Sequence, residues 1–229
     1  DSLIDLRVDS PEAFPLERLL RDYSKICEAI AFSHSRSVIH RDLKPANVMI
    51  GEYGEVLVVD WGLGKILGEA EESWSSTGSG LSRGGGMDVT LDGMVMGTPT
   101  YMAPEQALGA QDHVDERSDV YSLGSILHTI LYGHPPVTGE SREEIVRNVA
   151  RGELGAMGDA VSGRVPRELA AVVDRALRFQ PKERYASAGA LRDDIEAFLE
   201  GRTLSVVTYS PWALLRKWYR RNRTVCAVA

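Results

Sequence analysis

The residues His40-Arg41-Asp42-Leu43-Lys44-Pro45-Ala46-Asn47, followed thirteen positions later by Asp60-Trp61-Gly62, decide how this chain is read. Two carboxylates, an amine and an amide at this spacing are the groups that phosphoryl transfer needs. One carboxylate receives a hydroxyl proton, a cation lies on the transferring phosphate, and oxygen ligands hold Mg²⁺. Asp42 fits the first role, Lys44 the second, and Asn47 with Asp60 the third. A single Asp is usually a solvated surface group. Four such residues in this order are not explained that way.

The sequence around this stretch supports bringing the four together. Val48-Met49-Ile50, the turn Gly51-Glu52-Tyr53-Gly54 and Val56-Leu57-Val58-Val59 predict two short strands of a hairpin. Asn47 and Asp60 flank that hairpin and so end side by side. Upstream, Leu16, Leu19, Leu20, Tyr23, Ile26, Cys27, Ile30 and Ala31 recur at helical spacing, predicting one amphipathic helix from Pro15 to His34. Downstream, residues 68–93 are rich in glycine and serine, with almost no apolar period. Such a composition buries too little surface to offset ordering entropy, so a mobile insert is expected.

Helical patterns then resume. Asp119 to Tyr132 is apolar nearly all round, as a central buried helix would be. Ser141-Arg142-Glu143-Glu144 reads as a capping box opening a helix to about Arg151. Pro166 opens another, ending near Phe179, and Ser187 caps a last one that stops at Gly201. His34, His113, His128 and His134 have no metal-ligand spacing and are set aside as packing or surface residues.

Charge divides the chain unequally. Twenty of its 26 basic groups and all 33 acidic ones fall in residues 1–201, a net of −13, against +6 for residues 202–229. The acidic body argues against nucleic-acid binding. The basic tail, with Trp212, Trp218 and Tyr219 interleaved, points to an anionic membrane surface. Cys27 and Cys226 stand far apart and predict reduced thiols. No signal peptide opens the chain.

Extended by Gly97-Thr98-Pro99-Thr100-Tyr101-Met102-Ala103-Pro104-Glu105, the central run resembles the catalytic half of the protein kinases. Lys44, two residues beyond Asp42, resembles the serine/threonine type, and the basic tail resembles its bacterial, membrane-anchored members. The resemblance implies an α+β protein-kinase-like fold, here a mostly helical C-terminal lobe over residues 1–201 with a β-hairpin at the catalytic loop. The glycine-rich turn, strand lysine and helix glutamate of the family's smaller N-terminal lobe do not occur before Asp42, so that lobe is expected to be absent. A basic juxtamembrane connector over 202–223 and the start of a transmembrane helix at 224–229 complete the expected layout, with the lobe at the cytoplasmic face of the membrane.

The same resemblance implies roles for individual residues. Asp42 would be the catalytic base, Lys44 a phosphate contact, Asn47 and Asp60 the Mg²⁺ ligands, and Met49 part of the apolar floor beneath the adenine of ATP. His40 would stack on Trp61, which stands where the family usually has Phe. Arg41 would pair with a phosphorylated residue of the segment from Asp60 to Glu105, and Thr90 is the first candidate for that residue. Thr98 would support the landing site of a peptide. Glu105 with Arg184, and Asp119 beneath the catalytic loop, would be structural supports. The implied activity is transfer of the γ-phosphoryl group of ATP to Ser/Thr hydroxyls of proteins, with a homodimer as a further expectation. The alternative is a non-catalytic kinase-like scaffold that docks partners.

Overall fold

The computed structural model describes residues 15–51, 53–63, 65–66, 99–155 and 165–221. The expectations for Thr90, Thr98, the glycine-rich stretch 68–93 and the segment 224–229 therefore lie outside the described residues.

Pro15, with φ −61° and ψ 149°, sets the entry to helix α1, Leu16–Ser35. The expected stripe of α1 is its buried face: Leu19, Leu20, Tyr23, Ile26, Cys27 and Ile30 are wholly buried. A turn through Ser37, in the left-handed region at φ 59°, leads to strand β1, Val38–Ile39. The expected hairpin follows as β2, Val48–Ile50, and β3, Val56–Val58, antiparallel with Met49 opposite Leu57. A short strand not foreseen from the sequence, β4, Lys65–Ile66, pairs antiparallel with β1. Two residues are too few to show a period, so β4 left no pattern to read.

The remaining elements are helical: α2, Pro104–Ala107; α3, Glu116–Tyr132; α4, Arg142–Arg151; α5, Arg167–Ala176; α6, Ala188–Leu199; and α7, Pro211–Arg221. The Asp115 carboxylate caps α3 by accepting from the Arg117 N–H, and Gly133 at φ 78° closes it in the left-handed region. Between those ends every residue from Ser118 to Tyr132 is buried. α3 therefore forms the centre of the core, with α1, α5 and α6 packed around it. A Cβ added at Gly124 would lie 2.6 Å from the Cβ of Ala176, so only glycine lets α3 and α5 approach this closely. Each Leu or Ile buried in this cluster contributes about 1.5–3 kcal/mol.

Three boundaries differ from the sequence reading. Ser141 caps α4 by accepting from the Glu144 N–H, but the Glu144 carboxylate takes the Glu140 N–H at 2.7 Å. The capping box thus closes one residue early. Helix α5 ends at Ala176 rather than near Phe179: the Arg178 N–H turns to the Arg175 carbonyl, and the carbonyls of Arg178 and Phe179 accept from the Arg184 guanidinium. After Gly201 the basic connector expected over 202–223 carries a helix that the sequence reading did not assign, α7, Pro211–Arg221. Among the described residues no helix is long and apolar enough to cross a membrane.

Candidate active site

The loop carrying Asp42 is held from below by a single carboxylate. Asp119, near the start of α3 and fully buried, accepts the His40 N–H at 2.8 Å and the Arg41 N–H at 2.9 Å. It also accepts from Nε2 of His34, at the end of α1, at 2.8 Å. Arg41 sits at φ 69°, which a side chain with a Cβ adopts only at a cost of about 1–2 kcal/mol. The hydrogen bond that the Arg41 N–H donates to Asp119 offsets that cost. A second brace comes from Gln106, whose amide donates to the Arg41 carbonyl at 2.8 Å and accepts from the Ala103 N–H at 3.1 Å.

The His40 imidazole locks the loop to the hairpin. Its Nδ1 lies 3.3 Å from the Asp42 N–H, and its Nε2 lies 3.1 Å from the Val59 carbonyl. An N–H can only be accepted at Nδ1 and a carbonyl can only accept from Nε2, so the ring carries its proton on Nε2. The ring packs on Trp61 as expected, with centroids 4.5 Å apart. The larger indole of Trp61 finds its own partner, donating to the Val58 carbonyl at 3.0 Å.

These supports place the four chemical groups. Asp42 and Asn47 are buried, and Lys44 Nζ lies 2.7 Å from an Asp42 carboxylate oxygen. Asn47 donates to the Asp42 carbonyl at 2.9 Å, so the amide oxygen is the atom it can offer to a cation. The Val59 N–H bonds the Asn47 carbonyl at 2.9 Å, extending the β2–β3 ladder by one step; Asp60, the next residue, is exposed. Asp60 itself lies at φ 63°, a second strained non-glycine residue at the site. Met49 and Leu57, opposite each other in the hairpin, are 53% and 58% exposed and form an apolar surface beside these groups.

A deeper pair ties α2 to the turn between α5 and α6. Both oxygens of Glu105 are held by Arg184, at 2.7 and 2.8 Å. The three remaining N–H groups of Arg184 donate to the carbonyls of Arg117, Phe179 and Arg178. All five donors are thus used, and the guanidinium also lies over the Tyr121 ring. Burial alone would raise the Glu105 carboxyl, but the hydrogen bonds and charge of Arg184, with the Ser118 hydroxyl, hold it below its ordinary range.

Two supporting residues were missed in the sequence. His34, set aside as packing, is a partner of Asp119; its position four residues after Ile30 on the buried stripe of α1 was the available signal. Gln106 follows Glu105 without any periodic or motif cue. Thr90 and Thr98 are outside the described residues.

A buried carboxylate with an amine beside it, and an amide and a second carboxylate at the two ends of one hairpin, are the kinds of group that phosphoryl transfer requires. Comparison with known proteins makes that specific. The chain belongs to the protein kinase domain family, whose model matches residues 7–195. It is 42% identical to the serine/threonine-protein kinase PknD of Protochlamydia amoebophila over 188 residues, 81% of this chain and 19% of that protein. It is 37% identical to a probable serine/threonine-protein kinase of Streptomyces coelicolor, over 81% of this chain and 25% of that protein. Against PknB of Mycobacterium tuberculosis it is 36% identical over 78% of this chain and 26% of that protein. The chain therefore spans between a fifth and about a quarter of the length of these relatives.

Proposed function

We propose that this lobe serves a protein serine/threonine kinase that uses ATP and Mg²⁺. The observation that carries the proposal is the pinned loop: Asp119 and His40 hold Asp42 beside Lys44, and the backbone bond from Val59 to Asn47 closes the hairpin that Asn47 and Asp60 flank.

The residues fit Mg-ATP on their own chemistry. Mg²⁺ prefers a few protein oxygens completed by phosphate and water, and an amide oxygen plus one carboxylate supply that. The exposed Met49–Leu57 pair suits the flat, apolar face of a purine. When bound, Mg-ATP supplies the phosphoryl group and neutralises its charge. Asp42 orients the attacking hydroxyl and takes its proton at a carboxylate oxygen. Lys44, held against Asp42, keeps that oxygen in place and offers its charge to the phosphate. In this family a smaller lobe with a glycine-rich turn and a strand lysine covers the nucleotide. No glycine occurs in residues 1–41, so the proposed activity is that of this lobe joined to such a cover.

We further propose that the protein works at the cytoplasmic face of a membrane, reached from its C-terminal side, on protein substrates and as a candidate homodimer. The basic, acid-free composition of residues 202–229 supports this placement.

The test is transfer of labelled phosphate from Mg-ATP by the protein with its nucleotide cover, to itself or to a generic basic substrate. Asp42→Asn is expected to lower transfer by about 10³-fold or more. Equal labelling by both forms, or none by either, would reject catalysis and leave the scaffold reading.

A further inference from the structure

Helix α7 carries the most exposed large apolar side chains among the described helices, and they do not fall at random. At 100° per residue, Trp212, Leu215 and Tyr219 lie on one arc of the helix. Their exposures are 80%, 54% and 55%. The adjoining arc holds Arg216 and Arg220, and α7 has four basic residues and no acidic one. The opposite side is committed to the lobe. Lys217 pairs with Glu168 at 2.7 Å, donates to the Arg202 carbonyl at 2.8 Å and lies over the Tyr209 ring. Leu214 and Trp218 join it around a cavity of about 240 Å³ against Gly201, Arg202 and Thr203. The connector beneath is itself tied down: Asp194 accepts from the Ser205 N–H and hydroxyl, and Tyr209 donates to Glu168.

We propose that the Trp212–Leu215–Tyr219 face of α7 lies in the interface of an anionic lipid bilayer, and that its lobe-side latch fixes the orientation of the whole lobe on that surface. Tryptophan and tyrosine favour the headgroup level, where one edge is apolar and the other wet. Flanking arginines meet anionic headgroups, while the body, at −13, is repelled and stands away. An extended polyanion such as RNA would be repelled by the same body and offers no hydrocarbon for the apolar arc. The inference goes beyond the membrane placement proposed above, which rests on the composition of residues 202–229; this one rests on the face and docking of α7.

The experiment is co-sedimentation of the 229-residue chain with vesicles of phosphatidylcholine alone or with about 30% phosphatidylserine. The expected result is at least about tenfold more binding to the anionic vesicles, weakening as salt shortens the screening length. Arg216→Glu with Arg220→Glu should abolish the preference. Trp212→Ala with Leu215→Ala and Tyr219→Ala should lower binding at least about tenfold, since both charge and apolar contact are needed for such helices. These side chains are exposed, so circular dichroism should show an unchanged fold. Equal binding to both vesicles, or the same binding by the triple variant, overturns the proposal. So does a concentration-dependent dimer that the triple variant loses while vesicles are not bound, since the face would then meet a second copy. No transfer by the protein with its nucleotide cover, alongside intact vesicle binding by this chain, would reject the kinase reading and leave this inference standing.

Discussion

Asp119 and His34 meet at 2.8 Å across 85 positions of sequence, joining the end of α1 to the start of α3 directly beneath the loop that carries Asp42. The carboxylate that accepts from His34 also accepts the His40 and Arg41 amides. His34 therefore positions Asp119, and Asp119 positions the backbone on either side of His40.

Removing the imidazole leaves the buried Asp119 one partner short. His34→Ala should destabilise the chain by about 1–3 kcal/mol, and His34→Gln, which keeps an N–H donor, should recover part of that. Asp119→Asn should cost more, because an amide cannot accept the same set of donors. Urea midpoints at constant slope measure each effect. A His34→Ala midpoint equal to that of the parent chain would show that the pair contributes nothing.

The Glu105–Arg184 pair predicts a response to acid. The Glu105 carboxyl is lower in the folded state than in the unfolded chain, so its contribution is complete above the ordinary glutamate range, near pH 4.3. It is lost as pH falls through the lower folded value, where protonation leaves the Arg184 cation buried without a counter-charge. Breaking the pair outright with Arg184→Met should cost about 3–5 kcal/mol at neutral pH. Glu105→Gln should be destabilised there as well, yet lose less additional stability between pH 5 and about pH 3. Parallel acid profiles for the parent and Glu105→Gln would contradict the assignment.

His128 predicts a second, higher window. Burial pushes its imidazole down to about 4; the bond to the His134 carbonyl, at 2.9 Å, opposes this and the neighbouring His134 ring adds to it. A histidine lowered on folding contributes fully above its unfolded value of about 6.5 and loses that contribution as pH falls toward 4, an effect on the order of 3 kcal/mol. His128→Asn keeps a donor for the carbonyl and cannot titrate, so its stability should be flatter over that interval. Denaturant midpoints at several pH values decide the matter; equal slopes would remove His128 from the account.

Much of this was legible because the relevant residues lie close in sequence. His40 to Asn47, the hairpin and Asp60 fall within about twenty positions, and the β2–β3 pairing was readable from that spacing. Helix starts were legible where a side chain caps them, as at Ser141 and Ser187. Contacts between distant residues left weaker traces. His34 looked like the last residue of a helix, and only the fold brings Asp119 to it. The turn after α5 gives the Arg178 and Phe179 carbonyls to Arg184, a pairing that no local propensity records. Helix α7 was hidden for a different reason. Its basic residues and exposed aromatics read as a tail, whereas Lys217, Glu168 and Tyr209 hold it as a helix against the lobe.

Gln106 gives a prediction that separates positioning from binding. Its amide bridges the Arg41 carbonyl and the Ala103 N–H, and Arg41 is strained at φ 69°. Gln106→Ala should let that strain relax and move Asp42, lowering kcat by about tenfold with KM for ATP nearly unchanged. Gln106→Glu keeps the acceptor for Ala103 but loses the donor to Arg41, and should resemble the alanine variant. Restored kcat in Gln106→Glu would show that only the Ala103 bond matters.

Trp61 bears on the metal. Its indole N–H holds the Val58 carbonyl at 3.0 Å, its ring packs on His40, and it directly follows Asp60, which lies at φ 63°. Trp61→Phe preserves the aromatic contact and removes the hydrogen bond, worth about 1 kcal/mol at a partly exposed site. With one restraint gone, Asp60, a proposed Mg²⁺ ligand, should spend less time in its strained conformation. The Mg²⁺ concentration giving half-maximal transfer should therefore rise by about fivefold, the equivalent of that hydrogen bond, while the rate at saturating Mg²⁺ changes little. A lowered saturating rate with an unchanged Mg²⁺ midpoint would mean that Trp61 acts through His40 and the catalytic loop instead.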